Sequence, residues 1–382
     1  MRIKKLLLAN FRNFEKREFE FSSQTTLIVG RNASGKTNLL EAVYLLARGH
    51  SFRGGRNEEM INYQSQIANI KSSAFAPSTP SITFMVSTVE PLRINPLRAS
   101  ADKQILSEER LEIILTRGEV SGIKTAKKKY LVNGVGKRAM DFVGLLRVVI
   151  FKPEDLEIVI NSPSTRRDYL DSVLEQTDRE YLRASLSYKK GLRQRNKLLE
   201  QIRERQRDHS SLFFWDKLLV ENGRTITAKR SEFIEFINRQ PDYFEDLEVE
   251  YDQSIISPER LEKYREAEVA AGMTLVGPHR DDFRINARSD LQDRKRNISV
   301  YGSRGEQRLA VFCLKLAELE FFAQKTKERP ILLLDDIFSE LDETNRQRLL
   351  EVIPKQQTLI TATNLQVVDK EFLRKMEVIR LN

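Results

Sequence analysis

The sequence predicts an α/β fold assembled from both ends of the chain, with an α-helical arm inserted between them. Three observations carry this. Near the N-terminus an aliphatic strand, "TTLIV", runs through a glycine turn into a helix. Close to the C-terminus a second aliphatic run, "PILLLDD", has the length and texture of a buried strand. Between them lies a long, glycine-poor stretch with helical spacing of its apolar residues. Buried strands that feed helices at both ends call for a layered sheet-and-helix domain. The expected division is 1–151 for the first part of that domain, 152–270 for the arm and 271–382 for the remainder.

The first segment, "IKKLLLANFRNFEKREFEF", reads as strands, with Phe14, Phe19 and Phe21 set among charges. "TTLIVG" is a short buried strand that ends at Gly30. "TNLLEAVYLLARG" reads as a helix, with Leu39, Leu40, Val43, Leu46 and Ala47 on one face and Gly49 as its stop. "SSAFAPSTP" carries a loop signal. "SITFMVSTV" and "RLEIILTRG" read as strands of a smaller sheet, and "LLRVVIF" as another buried strand. From Pro153 to about Ala271 the texture is helical, with an apolar stripe at Leu192, Leu199 and Ile202. No long heptad run is present, so a compact arm is expected rather than an extended coiled coil. After Ala271 strand-like stretches return.

The 382 residues leave room for two domains or one composite one, and 40% hydrophobic content supplies a core. Lys and Arg number 64 against 55 Asp and Glu, a net charge of +9 that fits a polyanionic partner. Residues 185–208 concentrate the excess, with Lys189, Lys190, Arg193, Arg195 and Lys197 among eight cations facing three anions. Two readings of that segment stand equal: a solvated helix face, or a nucleic-acid contact. The single cysteine, Cys313, excludes a disulfide framework and a thiolate metal site, which fits a reducing cytosol. Neither a signal peptide nor a membrane-length apolar run is evident.

"GRNASGKT", Gly30 to Thr37, matches G-x-x-x-x-G-K-[ST] and sits between strand and helix, the context that motif requires. Its glycines let the backbone N–H groups of Arg31, Asn32, Ala33, Ser34 and Gly35 curl around a phosphate. The helix N-terminus adds its positive dipole end. Lys36 is expected to reach the β- and γ-phosphates, and Thr37 to ligate Mg²⁺. "LLLDD" supplies the complement, with two carboxylates at the end of a strand where α/β sheets bind ligands. Asp335 is expected in the Mg²⁺ shell. Asp336 is expected to orient or deprotonate an attacking water. One acid would suffice for a solvated strand end.

A second glycine–serine turn, "YGSRGEQRLA", opens a helix whose stripe is Leu309, Phe312, Cys313, Leu316 and Leu319. Ser303 is expected as the N-cap, with Glu306 as its capping-box partner. Taken alone, that is an ordinary capped helix. Its position shortly before the Asp-Asp strand matches the signature turn of ATP-binding-cassette ATPases. In those, the turn meets a γ-phosphate held by another subunit. On that reading Ser303, Gly305, Glu306 and Gln307 act in trans, and two chains related by a two-fold axis sandwich two ATP molecules.

The ordered set of motifs resembles the RecF family of bacterial recombination-repair proteins, relatives of the SMC and ABC ATPases. It comprises "NASGKTNLLEAVYLLARGHSFR", "FKPEDLEIVINSPSTRRDYLD", "YKKGLRQRNKLL", "TLVGPHRDDFRI", "GSRGEQRLAVFCLKLAE" and "LLLDDIFSELD". The resemblance implies an ABC/SMC-type P-loop ATPase head with an inserted helical arm. It also implies weak, DNA-stimulated ATP hydrolysis with Mg²⁺, an ATP-induced homodimer, and binding to duplex and gapped DNA. Cooperation with RecO and RecR to load RecA in the cytoplasm follows from it, as does an interface loop at Ser339 to Asp342. His279 to Asp282 would lie near the head–arm junction, in a nucleotide role or in a structural ion-pair network.

Some features depart from transporter ATPases. Asp336 replaces the usual Glu, and Thr361, Thr363 and Asn364 stand where a switch His is usual. Glu154 or Asp155 occupies the place of the Gln loop. Two other readings are an ATPase subunit coupled to a non-DNA partner, and a scaffold that binds ATP without turning it over.

Overall fold

The computed structural model describes residues 1–21, 24–77, 106–240, 246–287, 295–365 and 370–381. A five-stranded parallel sheet lies at the centre. Its order is Val148–Phe151, Ile331–Asp335, Thr358–Ala362, Thr25–Gly30 and Glu377–Leu381. Both chain ends therefore build it, as the sequence predicts. Parallel strands need cover on both faces, which is why Val148–Phe151 and the run Ile331 to Leu334 are continuous apolar stretches, whereas the edge strand Glu377–Leu381 is half-exposed. The register sets Leu334 beside Ile360 and Asp335 beside Thr361. This lines up the strand ends that carry the two glycine-turn and Asp-Asp motifs.

A six-stranded antiparallel sheet forms a second layer. Phe14–Glu20, Arg2–Phe11, Ile67–Pro77, Leu106–Thr116, Lys128–Val132 and Val135–Lys137 are neighbours in that order. The helix Lys36–Arg48 is clamped between the two sheets. Ile3, Leu6 and Phe11 pack on one side of it, and Ile28, Leu333 and Leu359 on the other. It is consequently buried all round, Ala42, Tyr44 and Leu45 included, rather than along the single face its spacing predicts. The loop signal in "SSAFAPSTP" is overridden as far as Pro77. There the strand is paired on both sides, with Arg2–Phe11 and with Leu106–Thr116. The strand expected at "SITFMVSTV" lies outside the described residues.

The arm is built from helices Pro163–Thr177, Arg179–Arg203, Phe213–Asn238 and Pro258–Ala271. Asp178 and Ser257 cap two of them, accepting backbone N–H groups from the first turn. The two longest form a hairpin, and its two interior glycines mark its closest contacts. A Cβ on Gly191 would sit 2.6 Å from Leu218, and one on Gly223 2.4 Å from Ile256. One element departs from the expected arm. Leu247–Asp252 is a strand, with Leu247 and Val249 buried, and it pairs antiparallel with Asp282–Ala287 across the 270/271 boundary. The arm and the C-terminal part of the head thus share a sheet, and one apolar core runs through both. Among the described residues no helix is long and apolar enough to cross a membrane.

Candidate functional site

The Gly30–Thr37 turn is shaped by backbone geometry that few sequences tolerate. Ala33 and Gly35 hold left-handed φ values of 66° and 101°. A Cβ on Gly30 would lie 2.4 Å from Ser34 Oγ, and one on Gly35 2.7 Å from Asn13. The Lys36 ammonium donates to the carbonyls of Gly30 and Arg31, at 2.7 and 3.0 Å, and so folds back over its own loop. Ser34 Oγ is buried with no hydrogen-bond partner. This is a cradle with a cation across its mouth and an unpartnered hydroxyl within it, which fits a polyphosphate.

The structure brings Thr37 and Asp335 together, far apart as they are in sequence. Thr37 Oγ1 donates to Asp335 Oδ1 at 3.0 Å, and Thr361 Oγ1 to the same oxygen at 2.7 Å. Burial pushes the Asp335 carboxyl above the usual carboxylate range, against the pull of those two hydroxyls. A hydroxyl and a carboxylate in contact at the end of the cradle suit a hard divalent cation. Asp336 follows in left-handed conformation, φ 53°, with its N–H donating to Thr361 Oγ1 at 3.0 Å. Among the described residues its half-buried carboxylate has no hydrogen-bond partner. Thr361, one of the residues standing in place of a switch His, is thus buried and committed to holding both aspartates.

A scaffold that sequence reasoning missed steadies the cradle. Asn13 Nδ2 donates to Ser34 O at 3.2 Å, Asn38 Nδ2 to Asn13 Oδ1 at 2.8 Å, and Arg53 to Asn38 Oδ1 at 2.7 Å. Fully buried Glu41 accepts from Arg12, Arg53 and Ser51. The signal was present in "NFRNF", a turn whose Arg12 takes a left-handed φ of 52°.

The Tyr301–Gln307 turn lies apart from the cradle. Ser303 is the N-cap of the helix Arg304–Thr326, with the reciprocal Glu306 box in place. Arg296 and Ser303 together hold the Glu306 carboxyl down at about 2. Ser303, Arg304 and Gly305 are exposed, and a Cβ on Gly305 would meet nothing closer than 3.9 Å. Among the described residues no hydrogen bond or ion pair joins this turn to Gly30–Thr37. Arg308 on the same helix pairs with Glu340 at 2.7 Å, next to Ser339 and the helix-capping Asp342. Asp155 is buried 3.7 Å from Lys315 of that helix, whereas Glu154 is exposed.

The His279–Asp282 segment is an ion-pair knot. Arg230 joins Asp171 and Asp281 at 2.8 and 2.9 Å, all three buried, and Arg166 grips Asp282 through two bonds. Tyr181 donates to Asp171, and Tyr251 to Asp281. Burial alone would push the Asp171 carboxyl up, but Arg230 and Lys189 outweigh it and hold it below the usual range.

The basic arm segment needs one correction. Arg195 is 1% exposed and paired with Asp216 and Glu268 at 2.6 and 2.7 Å, so it forms part of the arm's interior and offers no phosphate contact. Lys189 is half-exposed but already bound to Asp171 and Glu175. Lys190, Arg193 and Lys197 lie on the surface.

Known proteins share this architecture. Residues 2–379 match the profile of the RecF/RecN/SMC N-terminal domain. A DNA replication and repair protein RecF from Lachnoclostridium phytofermentans is 37% identical over 380 residues, spanning 96% of this chain and 94% of its own. The protein of that name from Ligilactobacillus salivarius is 33% identical over 406 residues, spanning 100% and 96%. A solved structure of the recombination mediator protein RecF with ATP, from the RecFOR pathway, superposes with a TM-score of 0.80. It is 30% identical and covers 96% of this chain and 93% of its own.

Proposed function

The chain belongs to the RecF/RecN/SMC family, and from that premise we propose that it is an ATP-dependent DNA-binding protein of recombinational repair and replication-fork maintenance. The observation that carries the reading is the separation of the two glycine turns. The Gly30–Thr37 cradle and the two aspartates share one end of one sheet, while the Ser303 turn stands exposed at the start of a different helix, closed by its own capping box. One chain grips phosphates from one side, and a second copy closes over them from the other.

In this reading Lys36 turns from the Gly30 and Arg31 carbonyls to the β- and γ-phosphates. Thr37 and Asp335 would hold Mg²⁺, which would offset phosphate charge. Asp336, its carboxylate without a hydrogen-bond partner among the described residues, orients the attacking water. Ser303, with Gly305, Glu306 and Gln307 behind it, meets the partner's γ-phosphate, the Ser303 hydroxyl exchanging its capping bond to the Glu306 N–H for the phosphate, and Ser339 to Asp342 cross the interface. The carboxylate of Asp336 is short, and Thr361 is committed to the aspartates. Hydrolysis is therefore slow and suited to resetting a switch, and the resemblance to the RecF family adds that DNA stimulates it.

Closure of two heads joins their exposed cations into a surface for duplex or gapped DNA, with Lys190, Arg193 and Lys197 of the arm taking part. Contact is to the phosphate backbone and is salt-sensitive. RecO and RecR act with the dimer to load RecA. The relatives' name, DNA replication and repair protein RecF, and the RecFOR pathway of the solved structure support this assignment.

The test is mass in solution. Wild type should double with Mg-ATP and stay single with Mg-ADP. Ser303→Arg should remain single with ATP although its own cradle is untouched. Doubling of Ser303→Arg to the wild-type extent would remove the sandwich, and ATP-independent DNA binding with a flat salt profile would remove the DNA gate.

A further inference from the structure

Immediately before Ser303 stand two of the most exposed large apolar side chains of the described chain, Val300 at 65% and Tyr301 at 70%. Their backbone is not loose. Asn297 caps the short helix Ile298–Tyr301, accepting from Ser299 N at 2.8 Å, and buried Ile298 anchors it. Gln307 reaches back to the carbonyls of Ile298 and Ser299, at 3.2 and 3.4 Å. Arg296 donates to the Tyr301 carbonyl at 3.0 Å and pairs with Glu306. Gly302 is required by close approach, since a Cβ there would fall 2.5 Å from Ile298 O. The platform is thus tied to the capped turn at several points, and it presents an aromatic ring to solvent. A ring held out from a rigid base, 70% exposed among the described residues, has the form of a contact that a partner completes.

We propose that Tyr301 stacks on the nucleoside end of the ATP held in the partner's Gly30–Thr37 cradle. The inference rests on the two-chain sandwich proposed above and assigns it a further binding residue. Tyr301 lies two residues before Ser303, within about 7 Å of chain. Once Ser303 is at the γ-phosphate, its neighbour on the platform meets the rest of the same nucleotide. The Gly30–Thr37 cradle addresses phosphates, and a flat ring supplies the different chemistry that a sugar and base require. Val300 beside it contributes apolar cover to the same joint.

The experiment uses full-length wild type, Tyr301→Phe and Tyr301→Ala. Sedimentation with Mg-ATP measures the monomer–dimer constant. Fluorescence of the etheno-adenine analogue of ATP reports stacking on the base, at protein concentrations where each variant is dimeric. Tyr301→Ala removes two stacking contacts from each dimer and should weaken ATP-dependent dimerisation at least about 30-fold, the per-base effect of removing an aromatic counted twice. It should also lose the dimer-linked quenching of the analogue. Tyr301→Phe keeps the ring and should keep both. ATP binding by dilute monomers should be equal in all three, because each cradle is intact. Unchanged dimerisation of Tyr301→Ala beside a wild type that doubles overturns this inference and leaves the sandwich standing. Weaker dimerisation with quenching retained overturns the stacking role. A wild type that stays monomeric with ATP overturns both the inference and the sandwich beneath it.

Discussion

Two glycine-led turns in this molecule are crowded with charge, and they are built in opposite ways. At Gly277–Asp282 every buried charge is answered. Arg230 is bound by Asp171, Asp281, Tyr181 and the Pro278 carbonyl, and Asp281 also takes the N–H of Ser254. At Gly30–Thr37 the groups are left open. Ser34 Oγ is buried and unpartnered, Lys36 has only backbone carbonyls, and nearby Asp336 has no partner among the described residues. A saturated knot has nothing to offer a ligand and much to lose on disruption. An open cradle is the reverse. Substitution should therefore cost folding at the first and ligand affinity at the second.

The largest effect expected from that contrast is at Arg230. Arg230→Ala leaves Asp171 and Asp281 buried without their shared cation. It should destabilise the fold by about 3–5 kcal/mol, the usual penalty for breaking a buried pair from one side. Urea or thermal unfolding measures it, and a loss under about 1 kcal/mol would mean that the knot is not closed.

Next is Lys36→Ala. It removes the charge across the mouth of the cradle and should weaken ATP binding about 100-fold, given the strength of charge-assisted hydrogen bonds to phosphate. Unfolding in the absence of nucleotide should move by no more than about 1 kcal/mol, because the two carbonyls it leaves can take water. Equal damage to folding and to binding would erase the distinction between the two regions. Nucleotide titration and denaturation of the same preparation decide it.

The open site was the more legible of the two in sequence. A phosphate cradle needs particular residues at fixed spacing, so Gly30 to Thr37 and the Asp335–Asp336 pair announce themselves locally. So does the Ser303–Glu306 capping box. The parallel sheet was legible as buried runs, although its order depends on pairing between distant segments. What stayed hidden is non-local. Arg195 reads as one more surface cation, and only the approach of Asp216 and Glu268 from other helices turns it inward. Leu247–Asp252 alternates as a strand should, yet its partner lies beyond the next helix. Asn13, Asn38 and Arg53 form their chain of bonds across three separate elements, with no motif to mark them. The closed knot is of this kind throughout: the sequence left His279 to Asp282 between a nucleotide role and an ion-pair network, with no sign of the partners Asp171 and Arg230.

The smallest effect expected is a pH dependence from the same knot. His279 Nε2 lies 3.0 Å from the Thr274 carbonyl, which can only accept, so this nitrogen donates. In the neutral ring Nδ1 accepts from the Tyr188 hydroxyl at 2.8 Å, so both nitrogens are satisfied without a second proton. Burial, with Arg280 and Arg167 nearby, brings its pKa down to about 4. In the unfolded chain a histidine titrates near 6.5. Above that value both states are neutral and the contribution is complete. Between 6.5 and 4 the unfolded state takes up a proton that the folded state refuses, so stability falls as pH falls. From pH 7 to 5 the loss should be about 1–2 kcal/mol, allowing for the partial exposure of the ring. His50, also brought down to about 4 by burial and by Arg48, contributes in the same direction. His279→Gln should flatten the slope of unfolding free energy over that window without abolishing it. If His279→Gln follows the wild-type slope, the imidazole is not held neutral, and the knot is less closed than its geometry implies.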